Sequence, residues 1–423
     1  TQLAVELAYR YGRHLHGVHW IDAADPDRIP SEVAQCGQAM ALPGWPREQP
    51  DQVAYTLHAW AQADDPRLVV LDNLEDIQAA YNWLPRLCTG GVRLLLTARR
   101  GDWPADLGLD PLRLRTFTPS EARRFLRQHR PDDPTAALDS LAETLGYHPL
   151  ALTLAVRYLE DDPGFTIPAY LDELAETRGL LDHESIAGWY PERGNPTQHD
   201  LDLRATFELS WQRIRDEDAR QLFRIAGWCA PNQPIPPDLL TRALARLIES
   251  QDAEQPEDEE RAARGQARTY RRAVAHLDRL ALLRVAGQDA GPLIHPLLAA
   301  FAQPRDPDRA ALTALADTLA TMTTGANDTG LPRTFEPLRP HAEAAAEAAE
   351  DAGLEDAGVL WNNLGSHLDA IAAYAEARDH YERALEIDQA AFGPDHPNVA
   401  IRLNNLGSVL QDLGDLPAAR DHF

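Results

Sequence analysis

The chain has 423 residues, 44% of them hydrophobic, and a formal net charge of −26. That length predicts two to four domains with room for real cores, and the acidic balance argues against most of the chain lying on nucleic acid or an anionic membrane. No apolar run approaches the roughly 18 residues a membrane helix requires, and Cys36, Cys88 and Cys229 lack the spacing of a metal site or disulfide framework, so the expectation is a cytoplasmic protein with reduced thiols.

The chain opens on TQLAVELAYRYG, which reads as an apolar helix entered at its first turn, with something in front of it. HGVHWIDA, RLVVLDN (67–73) and RLLLTAR (93–99) come next as short Val/Leu-rich strands separated by helical stretches, the pattern of a parallel sheet covered on both faces. From about residue 119 amphipathic helices take over. SEARRFLRQHR, TAALDSLAETLGYHPLALTLAVRYL and IPAYLDELAETRGLL come first, then the connection PERGNPTQHDL (191–201), then a new helical set from RATFELSWQRI. The acidic tract QDAEQPEDEE (251–260) reads as a solvated loop. HLDRLALL, LRVAGQDAGPLI and HPLLAAFAQ then predict helix, two-stranded hairpin and helix, which suggests a winged helix.

The tail repeats itself. Asn362-Asn363-Leu364-Gly365-Ser366 recurs as Asn404-Asn405-Leu406-Gly407-Ser408, and Ala377-Arg378-Asp379-His380-Tyr381 as Ala419-Arg420-Asp421-His422-Phe423, both offset by 42. This is a helical-hairpin repeat of tetratricopeptide type in which the glycine permits close packing. Trp361, Tyr374, Tyr381, Phe392 and Phe423 are its expected core. Phe423 falls in mid-helix, so truncation at both ends is expected.

Asp72 ends a strand at the carboxyl edge of the predicted sheet, where doubly wound folds bind ligands. Thr97 and Arg99 stand at a second strand tip. A carboxylate for Mg²⁺ beside a cation for a terminal phosphate suits phosphoryl transfer. The remaining part would be a phosphate-cradling loop, GxxxxGK[ST], whose last residue opens a helix and offers its hydroxyl to Mg²⁺. Thr1 fits that residue and Gln2 the next, near the α-phosphate. All 40 basic residues are Arg, so no lysine here can serve as the loop's lysine.

These motifs resemble the NB-ARC class of STAND signalling ATPases, in the bacterial form with C-terminal tetratricopeptide repeats. TQLAVELAYRYG is similar to the stretch immediately after their phosphate loop, LVVLDNLED to their Walker B strand and LLLTAR to their sensor strand. LGYHPLAL is similar to their GLPLAL motif, and LIHPLLAAFAQ to part of their winged helix. The resemblance implies ADP or ATP with Mg²⁺ as ligands, Thr1 and Asp72 holding the metal. It makes Arg99 the γ-phosphate sensor, places Pro149 against adenine and lets His295 reach the β-phosphate. His148 and Trp228 are packing residues.

The implied organisation is α/β followed by all-α. It comprises a P-loop NTPase core (1–118) whose central strand precedes Thr1, a helical lid (119–190), a linker (191–204), a winged helix (205–303), a helical connector (304–340) and a tetratricopeptide solenoid (341–423). Two strands flanking the missing one would have open edges, and the piece alone would bind nucleotide weakly. Family members usually carry a second acid after the Walker B Asp; here Asn73 stands there and cannot act as a base, with Glu75 or Asp76 as substitutes. Pro296 stands where an Asp often follows the sensing histidine. The implied function is a slow, ADP/ATP-dependent signalling switch that assembles into a homo-oligomer, its repeats reading a protein or peptide. A repeat scaffold with a degenerate core is the alternative. Direct DNA contact is not expected, because IPPDLLTRALARLIES offers only Arg242 and Arg246 beside Asp238 and Glu249.

Overall fold

A computed structural model describes residues 1–179, 198–249, 259–285 and 291–422. The segment 191–197 of the expected linker, most of the acidic tract and Phe423 lie outside the described residues. The chain divides into two compact units, one of residues 1–114, 365–382 and 400–423, the other of residues 115–364 and 383–399.

The first unit is built on a parallel sheet of order β1-β2-β3, formed by β1 (Gly17–Asp22), β2 (Arg67–Asp72) and β3 (Val92–Leu96). β2 is central and buried through Leu71, as its unbroken apolar run predicts. Its side chains alternate between two faces. Val69 and Leu71 join a core with Ile21, Trp60 and Leu74, whereas Leu68 and Val70 meet Ala4 of helix α1 (Gln2–Tyr11). Helices α2 (Ile29–Ala39), α3 (Gln49–Gln62) and α4 (Ile77–Leu87) contribute to the larger core. α2 and α3 approach so closely at Gly37 that a Cβ there would lie 1.9 Å from Thr56 Oγ1. β3 has no strand on its outer side among the described residues. Leu112 and Leu114, beyond it in the chain, are exposed and outside any element.

The second unit is helical. It runs through α5 (Pro119–His129), α6 (Thr135–Thr144), α7 (Pro149–Asp161), α8 (Ile167–Gly179) and α9 (Gln198–Gln212). Thr118 and Glu121 close a capping box on α5, the Thr-x-x-Glu spacing of a helix start. α10 (Glu217–Ala226), α11 (Pro237–Glu249) and α12 (Glu259–Arg279) lead into the antiparallel pair β4 (Arg284–Val285) and β5 (Pro292–Leu293), then α13 (Pro296–Ala302). Asn232 N–H donates to Ile294 O and Ile235 N–H to Pro292 O, each at 2.9 Å, tying the turn before α11 to the second strand of the hairpin and the residue after it. The helix expected only at HLDRLALL in fact begins at Glu259. Its first half was hidden because its only apolar residues are alanines, which mark out no apolar stripe among the arginines and glutamates.

α14 (Ala310–Asp328), α15 (Pro332–Phe335) and α16 (Arg339–Asp351) carry one continuous apolar cluster on to Trp361. The repeat helices come last as α17 (Asp356–Ala370), α18 (Tyr374–Phe392), α19 (Pro397–Asp412) and α20 (Leu416–His422). Within the first unit, a Cβ at Gly365 would lie 2.8 Å from the Tyr381 ring, so the glycine serves close packing, as its place in the repeat predicts. Trp361 and Tyr381 are buried and Tyr374 partly so, but Phe392 is exposed and stacks on His396 at 4.6 Å, outside the expected core.

Candidate functional site at the strand tips

β2 delivers Asp72 to the carboxyl edge of the sheet, and Thr1 stands at the N-cap of α1 beside it. Thr1 Oγ1 donates to Asp72 Oδ1 at 2.9 Å, with Oδ2 at 3.2 Å. Thr97, just past β3, donates its hydroxyl to Asp72 Oδ1 and accepts from Asn73 N–H at 2.9 Å. Two hydroxyls thus converge on one carboxylate where the helix start and two strand ends meet. In the sequence Thr97 stands out only as part of its strand tip; in the structure its hydroxyl fixes Asp72 and the turn after it. Asn73 takes a left-handed φ of 60°, a conformation asparagine adopts more readily than most residues.

The other predicted residues have different partners. Arg99 is 79% exposed at its side chain and bound to Glu75, whose Oε1 accepts from Arg99 N–H at 2.7 Å and from Nε at 3.3 Å. Arg100 Nη1 donates to Glu75 O at 2.9 Å and packs over Trp103. Asp76 caps α4 by accepting from Ala79 N–H. Both acids offered as substitutes for the missing base are therefore engaged in local structure. Gln2 opens α1, and its side chain lies outside the described residues. Sequence reasoning passed over Asp22, which ends β1 in register with Asp72 and accepts from Ala24 N–H; the signal was the same apolar run closing on Asp.

In the second unit Pro149 is the first residue of α7, following His148. His295 caps α13, its Nδ1 accepting from Leu297 N–H at 3.2 Å. Burial, and secondarily the nearby His148, pull its pKa down to about 4, so the ring is neutral at pH 7. Trp228, read as packing, also donates from Nε1 to buried Asp306 at 3.0 Å.

The donor set at the strand tips suits a hard divalent cation. Mg²⁺ takes one or two protein oxygens and completes its shell with water and phosphate, and Thr1 and Asp72 offer a hydroxyl and a carboxylate. No cluster of three or more His, Cys, Asp or Glu side chains able to cage a metal occurs among the described residues, so a cation here would rely on its other ligands.

A tetratricopeptide repeat family model matches residues 356–423, which makes the C-terminal helices repeats of that family. Among solved structures the chain is similar to a Signal Transduction ATPase with Numerous Domains (STAND) protein with a tetratricopeptide repeat sensor from Pyrococcus horikoshii, at 12% identity and a TM-score of 0.45. The match covers 99% of this chain and 62% of that one, so the chain spans under two thirds of that protein's length. No curated protein matches. Among the described residues no helix is long and apolar enough to cross a membrane.

Proposed function

We propose that this chain is part of a cytoplasmic STAND-type signalling switch controlled by ADP and ATP, whose repeats read a protein or peptide trigger. The observation that carries this reading is the junction of Thr1, Asp72 and Thr97, two hydroxyls on one carboxylate at the carboxyl edge of a parallel sheet. Thr1 and Asp72 are the residues that would hold Mg²⁺, and the ion would supply charge neutralisation at nucleotide phosphates. Arg99 takes the γ-phosphate sensing role the motifs imply and exchanges Glu75 for that ligand. Pro149 and His295 keep the adenine and β-phosphate roles that the resemblance gives them. A neutral His295 donates one hydrogen bond without adding a full charge.

Residues 119–190 then serve as the lid, 205–303 as a winged helix, 304–340 as connector and 341–423 as sensor. A ligand shifts such a switch only through contacts that differ between its states, and nucleotide exchange in the complete protein drives homo-oligomer assembly. Asn73 keeps hydrolysis slow, because an amide cannot take a proton from water.

The test is to purify the complete protein, denature it and identify released nucleotide by chromatography, then repeat with Asp72→Asn. Stoichiometric ADP, lost from the variant together with nucleotide-dependent assembly, is the expected result. A protein that carries no nucleotide, and whose melting temperature ignores added ADP, would replace the switch with a repeat scaffold on an inert core. The engagement of both Glu75 and Asp76 in local structure is the observation favouring that second reading.

A further inference from the structure

Arg67 opens β2 at the amino edge of the sheet, the end opposite Asp72, and is only 5% exposed. A buried guanidinium has several N–H donors to satisfy and ordinarily meets a carboxylate. The Arg67 side chain has no oxygen acceptor among the described residues. Its Nη1 donates to the Met40 sulfur at 3.2 Å and lies 3.4 Å from His19 Nε2, and its Nε is buried without a partner. Burial, and then the Arg67 charge, pull the His19 pKa down to about 4, so at pH 7 that ring offers a lone pair and no negative charge. A second donor reaches the same sulfur. Trp60, fully buried, donates from Nε1 to Met40 Sδ at 3.4 Å.

Met40 caps the C-terminus of α2 and stays partly exposed, within reach of small oxidants in solvent. A thioether usually fills an apolar gap or lies at an aromatic edge, and it is a weak acceptor for two N–H groups, one of them charged. We propose that Met40 is a site of oxidative modification, where a peroxide converts the thioether to a sulfoxide whose oxygen accepts from Arg67 and Trp60. With hydrogen peroxide the sulfur lone pair attacks one oxygen, and the S–O bond forms as the O–O bond breaks. The departing hydroxide takes the proton of the transferred oxygen and leaves as water, so sulfur is oxidised and peroxide reduced. The unbranched side chain has the freedom to draw back as the oxygen enters. Oxidising a core methionine ordinarily destabilises, because it makes an apolar group polar. At Met40 it supplies the acceptor that Arg67 lacks, in a charge-assisted hydrogen bond. Cys36, one turn back on α2, does not compete, because burial and then Glu32 push its thiol up to about 12 and keep it protonated. β2 carries Arg67 at one end and Asp72 at the other, so the sulfoxide tightens the strand that presents the candidate site.

The test treats the full chain carrying Met322→Leu and Cys88→Ser with hydrogen peroxide. These substitutions remove the chain's other methionine and its exposed thiol. Peptide mass spectrometry follows the gain of one oxygen at Met40, and hydrogen exchange compares the β2 amides before and after. Met40 should gain one oxygen, and protection in β2 should rise by about tenfold, the weight of one hydrogen bond to a charged group. Adding Arg67→Leu should reverse the sign, so that oxidation lowers protection. Three results would each overturn the proposal: a Met40 left unmodified by peroxide that fully oxidises Met322 in the parent chain, protection in β2 that is unchanged or lower, or a rise that persists without Arg67. The first two are read without the Arg67 variant, so the proposal stays exposed to refutation even where Arg67→Leu does not fold.

Discussion

Replacing Gly365 with alanine separates helix propensity from packing in the repeats. In an exposed helix interior Gly→Ala stabilises by about 1 kcal/mol. Here the new Cβ would lie 2.8 Å from two ring carbons of Tyr381 and 3.2 Å from a third. Tyr381 is 3% exposed and its hydroxyl bonds Ser366 Oγ at 3.2 Å, so the ring cannot swing aside without breaking that bond. Overpacking costs about 1–3 kcal/mol and the lost hydrogen bond about 1. Set against the propensity gain, the net is a destabilisation of about 1–3 kcal/mol. Urea unfolding would measure it, with hydrogen exchange across α17 and α18 locating the loss, since a chain of several units need not unfold in one step. Paired with Tyr381→Leu, which removes the ring, Gly365→Ala should turn stabilising by about 1 kcal/mol. A stabilising effect in the native background would refute the reasoning.

Acid should destabilise the second unit through its buried histidines. His341 is fully buried with Nε2 against Pro234 O at 3.1 Å, and burial lowers its pKa to about 4, as it does for His295. Between pH 6.5 and 4 the unfolded chain takes up protons that the native one does not, so stability falls with pH, by about 2 kcal/mol per histidine at pH 5, and is unaffected above pH 7. His341→Gln should remove about one histidine's share of the loss between pH 7.5 and pH 5 in urea midpoints; an unchanged pH dependence would count against the assignment. Asp306 is buried and accepts from Trp228 Nε1, Ala311 N–H and Leu312 N–H, each at 3.0 Å. Asp306→Ala orphans three donors and should cost roughly 3 kcal/mol; a loss below about 0.5 kcal/mol in the same assay would contradict that role. Asn73→Asp in the complete protein should raise phosphate release at least about tenfold, by supplying a base at a position whose left-handed backbone aspartate tolerates. ADP affinity should stay unchanged, and an unaltered rate would remove position 73 from the chemistry.

Periodicity and spacing in the sequence determined that strands lie in 67–73 and 93–99, where the structure has Arg67–Asp72 and Val92–Leu96, and gave the repeat offset of 42, the place of Gly365 and the assignment of Asp72 to a strand tip. Such features depend on side chains close in sequence, where an apolar run, a recurring motif or an aspartate closing a strand is written out in order. The junction of Thr1, Asp72 and Thr97 was only half legible, because the hydroxyls come from residues 71 and 25 positions away in the chain. Engagement of Glu75 by Arg99 and of Asp306 by Trp228 was not legible at all. Which hydroxyl meets which carboxylate, and which charge faces water, depends on long-range packing, and only the tertiary structure decides it.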